Sequence, residues 1–165
     1  MIGLALAVAV AQLVTRSPGL EAVSALEGCW RVTGQVQGQD APGFAKGEWH
    51  LGGRYLMLHL RVPRPGDEYE SAITYGPGEH PNEIGSLFLD TFGGLYGPSL
   101  GAGTRTDTGF EQRYRFPDSV YLNRFERQQR GWHWTILEQV EGREDQVFAD
   151  YRLEPASCTR MRFTF

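Results

Sequence analysis

A chain of 165 residues with 41% hydrophobic side chains is long enough to bury one core and too short for two domains of ordinary size. Its formal net charge of -4 argues against a surface built for nucleic acid or anionic membrane, and Lys46 is the only lysine among 16 basic residues. The 21 glycines, 9 prolines and 12% aromatic content fit an all-β chain with many turns.

Ile2 to Val14 carries no charge, yet falls short of the roughly 20 apolar residues a spanning helix needs, so no membrane span is expected. It reads as a secretory h-region, with Ala9-Val10-Ala11 as the cleavage site before Gln12. That divides the chain into a signal peptide, 1–11, and a mature domain, 12–165. The competing reading is an apolar helix packed on the fold. Leu26-Glu27-Gly28-Cys29 is like a lipobox, but Glu27 replaces the usual small residue and Arg16, Pro18 and Glu21 interrupt the apolar run. The expectation is therefore a soluble exported protein, periplasmic or secreted, without a lipid anchor at Cys29.

Ser17 can cap a short helix with Pro18 at its first position; Leu20, Val23 and Leu26 recur at three-residue spacing, and Gly28 suits the stop. From Trp30 the period changes to two, with Trp30, Val32, Gly34 and Val36 on one face. Strands follow near Gly47–Leu51, Arg54–Val62, Glu68–Tyr75 and Gly85–Phe92, with a turn at Gln39–Gly43. Gly93–Gly109 reads as a long loop or a glycine-loosened strand. Strands resume at Phe110–Phe116, Val120–Arg127, Trp132–Val140, Gln146–Glu154 and Cys158–Phe165. About ten short strands in series, joined by hairpin-length links, predict a single up-and-down antiparallel β-barrel preceded by a short helix.

Gly28-Cys29-Trp30 at the start of the first strand resembles the G-x-W of the calycins, the superfamily of lipocalins and fatty-acid-binding proteins. There the Trp plugs the closed end of the barrel and an Arg on a late strand stacks over it. The resemblance assigns those roles to Trp30 and Arg152. The order of Gly28-Cys29-Trp30, Leu51–Leu56, Tyr75, Leu89-Asp90-Thr91, Gly131-Trp132 and Tyr151-Arg152 is similar to an uncharacterised, often exported bacterial domain family in that superfamily. It implies a barrel with an internal cavity and no particular activity. The related nitrobindins bind haem through a histidine, but no matching motif surrounds His50, His59, His80 or His133, so no cofactor is expected.

Two cysteines in an exported chain favour a bond. Strand alternation places Cys29 away from the Trp30 face and Cys158 beside Arg160 and Arg162, so Cys29–Cys158 would join first and last segments outside the core.

Gly97-Pro98-Ser99-Leu100-Gly101 matches the nucleophile elbow G-x-S-x-G, yet no helix pattern follows, so it reads as a coincidence of a glycine-rich stretch. The histidines show no metal-ligand spacing, and each reads as a surface or edge residue; no metal site is expected. Polar residues that share faces with large apolar ones are more informative. Tyr75 accompanies Tyr69 and Ile73, Asp90 lies between Phe88 and Phe92, Arg124 follows Val120 and Leu122, and Glu138 follows Trp132, Trp134 and Ile136. Pointing inward, Tyr75, Asp90, Arg124 and Glu138 would line a cavity and orient an acidic or amphipathic ligand. An internal salt-bridge network, or strand ends emerging into water, is the competing reading. Three functions follow: a barrel that binds a small, partly apolar molecule; a barrel enzyme, isomerase- or cyclase-like, using Asp90 or Glu138; and a packed barrel acting through its surface. The oligomeric state and the ligand stay open.

Overall fold

The computed structural model describes residues 16–64, 66–93 and 99–160; the signal-peptide reading of residues 1–11 lies outside them. A seven-residue helix, α1 (Pro18–Ser24), leads into eleven strands: β1 (Gly28–Val36), β2 (Gln39–Asp40), β3 (Gly43–His50), β4 (Tyr55–Arg64), β5 (Asp67–Pro77), β6 (Glu83–Asp90), β7 (Ser99–Arg105), β8 (Gly109–Arg115), β9 (Val120–Gln128), β10 (Gly131–Gln139) and β11 (Gln146–Pro155). Each long strand pairs antiparallel with its sequence neighbours, and β11 returns to β1 from Trp30↔Pro155 to Val36↔Ala149. The result is a closed ten-strand barrel with β2 as one short outer strand, which leaves the barrel strands no free edge.

The helix starts as its sequence dictates. Ser17 accepts the Leu20 amide at 3.3 Å and Pro18 fills the first turn. It ends at Ala25, earlier than Gly28, which instead opens β1. About two turns of isolated helix would not persist in water, so its stability comes from docking. Leu20, Val23 and, just beyond the helix, Leu26 are buried, and Gly19 N–H donates to the Pro81 carbonyl at 2.9 Å. α1 thereby stoppers the barrel end formed by the β5–β6 and β7–β8 turns.

Inside, alternation decides which side chains meet. Leu56, Leu58, Leu60 and Val62 of β4 face inward, as do Ile73 and Tyr75 of β5. Above the stopper the core is aromatic. Phe110 stacks on Phe125 at 4.6 Å, Phe125 on Trp134 at 4.8 Å, and Tyr75 meets Phe110 edge-on at 5.5 Å. Gly101 and Gly103 of β7 make room for this packing: a Cβ on Gly101 would collide with the Tyr114 ring and Ser86 Oγ, and one on Gly103 with the Glu111 carbonyl. The glycine-rich stretch is thus a strand whose missing side chains are replaced by neighbours lying across it.

Two expected elements differ. Gln39–Asp40, expected in a turn, pairs with β1 as β2. Cys158–Arg160, expected to open a last strand, is a 3-10 turn, and residues 161–165 lie outside the described residues. The bond itself is present: Cys29 and Cys158 are joined, with Cα atoms 5.4 Å apart. A bridged Cys29 thiol is not available for acylation.

Candidate binding site at the barrel end away from the helix

At the end opposite α1, inward-facing residues are half-buried aromatics paired with carboxylates. Tyr69 on β5 sits beside Asp90 at the end of β6, with its hydroxyl 3.5 Å from Asp90 Oδ2. Asp90 Oδ1 also accepts the amides of Phe92 and Gly93 at 3.1 and 3.2 Å, which closes the turn. Phe92 lies 5.5 Å from the Tyr69 ring and is 69% exposed, and the Arg64 guanidinium stands 5.8 Å over that ring. Burial pushes the Tyr69 hydroxyl pKa up, and the neighbouring Asp90 charge adds to it. Tyr151 is pushed up to about 12 by burial, against the opposing charge of Arg64.

Across the barrel, Tyr121 donates to Glu138 Oε1 at 3.0 Å, and its ring meets Phe116 and Phe148 edge-on at 5.4 and 5.1 Å. Deeper lies a buried polar node. Ser86 Oγ is 2.9 Å from the Tyr114 hydroxyl and 3.2 Å from Gln112 Oε1, while Gln112 Nε2 donates to the Ile84 carbonyl at 3.1 Å. Tyr75, fully buried, has a hydroxyl without a hydrogen-bond partner among the described residues.

The expected quartet does not assemble. Tyr75, Asp90 and Glu138 face inward at different heights, but Arg124 is exposed on the outer surface, 3.7 Å from Glu111. The inward residues of β9 are Tyr121, Asn123 and Phe125. Leu122 misleads because it is buried on the outer face, whereas Asn123 is inside and accepts the Trp134 indole N–H at 2.9 Å. Arg152 likewise points outward, between Thr33 and His133 in the sheet, so it does not stack on Trp30. Trp30 lies at the helix end, 8% exposed, with its indole donating to the Leu26 carbonyl at 2.8 Å. Among the described residues, the cations that do cover indoles are Arg16 over Trp49 at 3.9 Å and Arg127 over Trp132 at 4.7 Å.

His133 is an outer-face residue, 3.0 Å from Asp150 and 3.7 Å from Glu126. His59 is not the exposed residue expected: it is 7% exposed on the outer face, 3.6 Å from Glu70, and burial holds its pKa below the ordinary histidine value. Among the described residues, no group of three His, Cys, Asp or Glu is arranged to hold a metal ion. Ser99-Leu100-Gly101 runs into β7 rather than a helix, without the geometry of a nucleophile elbow. Gln112 and Tyr114, interior polar residues outside the expected quartet, share the face of Phe110 and Phe116, so the same face argument reaches them.

No family model matches the chain, and no curated protein matches it. Among solved structures it is similar to Rv2717c from M. tuberculosis, with a TM-score of 0.60 over 87% of this chain and all of that one, at 14% identity. At that identity the likeness supports the barrel fold and nothing finer. No helix among the described residues is long and apolar enough to cross a membrane.

Proposed function

We propose that this protein is an exported, calycin-like barrel that holds a small, partly apolar molecule in its interior, admitted at the end away from α1. The observation that carries the reading is the asymmetry of the two ends. One is stoppered by Leu20, Val23 and Leu26, with two indoles bonded to the Ala25 and Leu26 carbonyls just past the helix. The other presents Tyr69, Tyr121 and Phe148 half-buried, with two carboxylates among them. Aromatic walls with a few placed polar groups are the chemistry of a small-molecule site. The Cys29–Cys158 bond supports an oxidising, exported compartment.

The test is a titration with diphenylhexatriene, a neutral hydrocarbon fluorophore. Saturable one-to-one enhancement supports interior binding, and its absence across repeated preparations overturns it.

A second reading, a packed barrel acting through its surface, has its own support. Leu87 and Leu100 are cross-strand partners on the outer face, with Leu89 beside them, and Leu89 and Leu100 are exposed. The enzyme reading finds less: Asp90 is committed to a turn and Glu138 to Tyr121.

A further inference from the structure

The Tyr75 hydroxyl is fully buried and without a partner among the described residues, whereas buried hydroxyls are as a rule hydrogen-bonded. Its ring cannot swing to find one, because Phe110 and Phe125 hold it edge-on at 5.5 and 6.5 Å. Its cross-strand neighbour is Ser86, the centre of the polar node.

Proton counting orients that node. Ser86 has one hydroxyl proton and two partners, Gln112 Oε1 and the Tyr114 oxygen. Gln112 Oε1 can only accept, so Ser86 donates to it, and Tyr114 donates to Ser86. The Tyr114 oxygen is then left with an open acceptor position. Tyr75 holds the complementary open donor, and its cross-strand partner Ser86 is the residue that bonds Tyr114 at 2.9 Å, so donor and acceptor belong to one neighbourhood. Burial raises the pKa of both, so both stay neutral at physiological pH.

The surroundings fix the charge class. Among the described residues, the buried polar side chains are His59, Ser71, Ser86, Gln112 and Asn123, and of these His59 faces outward beside Glu70. Hydroxyls and amides line the deep interior around Tyr75 and Tyr114, where no described cation or anion is buried; the inward carboxylates Asp90 and Glu138 and the Arg64 guanidinium lie at the far mouth. Arg124 and Arg152, which would have supplied the cation, are on the outer surface.

We infer that the interior site recognises a neutral polar head, an alcohol hydroxyl on an apolar body, received by the Tyr75 hydroxyl and the Tyr114 oxygen. A hydroxyl both accepts and donates, which matches the open donor and the open acceptor; a carboxylate offers only acceptors and would be desolvated without a countercharge. This rests on the interior-binding reading above.

The experiment displaces diphenylhexatriene with 1-decanol and with decanoate at neutral pH, on wild type and Tyr75→Phe. The expected results are displacement by decanol at least about tenfold tighter than by decanoate, and a loss of about tenfold in decanol affinity in Tyr75→Phe, the size of one hydrogen bond. Diphenylhexatriene, which has no polar atom, should bind both proteins equally and so shows that the variant folds. Equal or tighter displacement by decanoate overturns the inference, as does unchanged decanol affinity in a Tyr75→Phe protein that still binds the fluorophore, which would mean that Tyr75 serves only a fixed water. Failure of the fluorophore to bind wild type would instead bring down the interior-binding reading itself.

Discussion

The Trp132 indole donates through Nε1 to the Ala25 carbonyl at 3.2 Å, across 107 residues of sequence. Trp30 does the same to Leu26 at 2.8 Å. The Ala25 and Leu26 carbonyls lie just past the end of α1, and indoles from two barrel strands supply their partners. The stopper and the barrel are therefore one cooperative unit, and Trp30 is held by burial and a hydrogen bond together.

Replacing Trp30 with Ala removes both. The expected loss is about 3–5 kcal/mol of unfolding free energy, in the range of large-to-small core substitutions. Urea unfolding monitored by circular dichroism checks it; a loss under about 1 kcal/mol would show that the stopper does not depend on Trp30.

The Cys29–Cys158 bond closes a loop of sequence separation 129. In the chain-entropy account such a closure stabilises by about 4–5 kcal/mol. The Cys29→Ser/Cys158→Ser double variant should unfold at correspondingly lower urea, and reducing agent should destabilise wild type but leave the variant unmoved.

Gly103 has no room for a side chain, because a Cβ would press on the Glu111 carbonyl of the paired strand. Gly103→Val should force β7 from β8 and cost about 1–3 kcal/mol or more. Thr104→Val, one residue on and exposed, should change stability by under about 0.5 kcal/mol. Equal effects would contradict the account of β7.

Burial on the outer sheet depresses the His59 pKa, outweighing the attraction of Glu70. The unfolded chain then takes up a proton that the folded chain resists, so this stability is present above the unfolded value of about 6.5 and lost as pH falls below it. Unfolding free energy measured from pH 7 to pH 5 should decline, and His59→Gln should flatten part of that decline. An identical slope in the variant would remove His59 as the source.

The faces of Tyr69–Tyr75 and Trp132–Ile136 are legible in the sequence because apolar and polar residues alternate there in step with burial. On β9 the same reading inverts. Leu122 is buried outside the barrel and Asn123 inside, where the Trp134 indole satisfies it, so the apolar residue marks the wrong face and takes Arg124 with it. Only the resemblance places Arg152 over Trp30, whereas the alternation of Tyr151, Arg152 and Leu153 points it outward. β7 is hard to read because its packing volume comes from Tyr114 and Gln112 on the next strand. The polar node is non-local, joining β6 and β8 across the intervening β7 through residues 26 and 28 positions apart, a relationship that no single-strand period encodes.

The most direct test of interior binding is native mass spectrometry of the full chain expressed for export and purified gently, before and after incubation with 1-decanol. The account predicts a one-to-one adduct on the oxidised polypeptide, either carried from the cell or formed with the alcohol. A bare polypeptide in both measurements, repeated across preparations, would contradict it and leave the surface of β6 and β7 as the place to look.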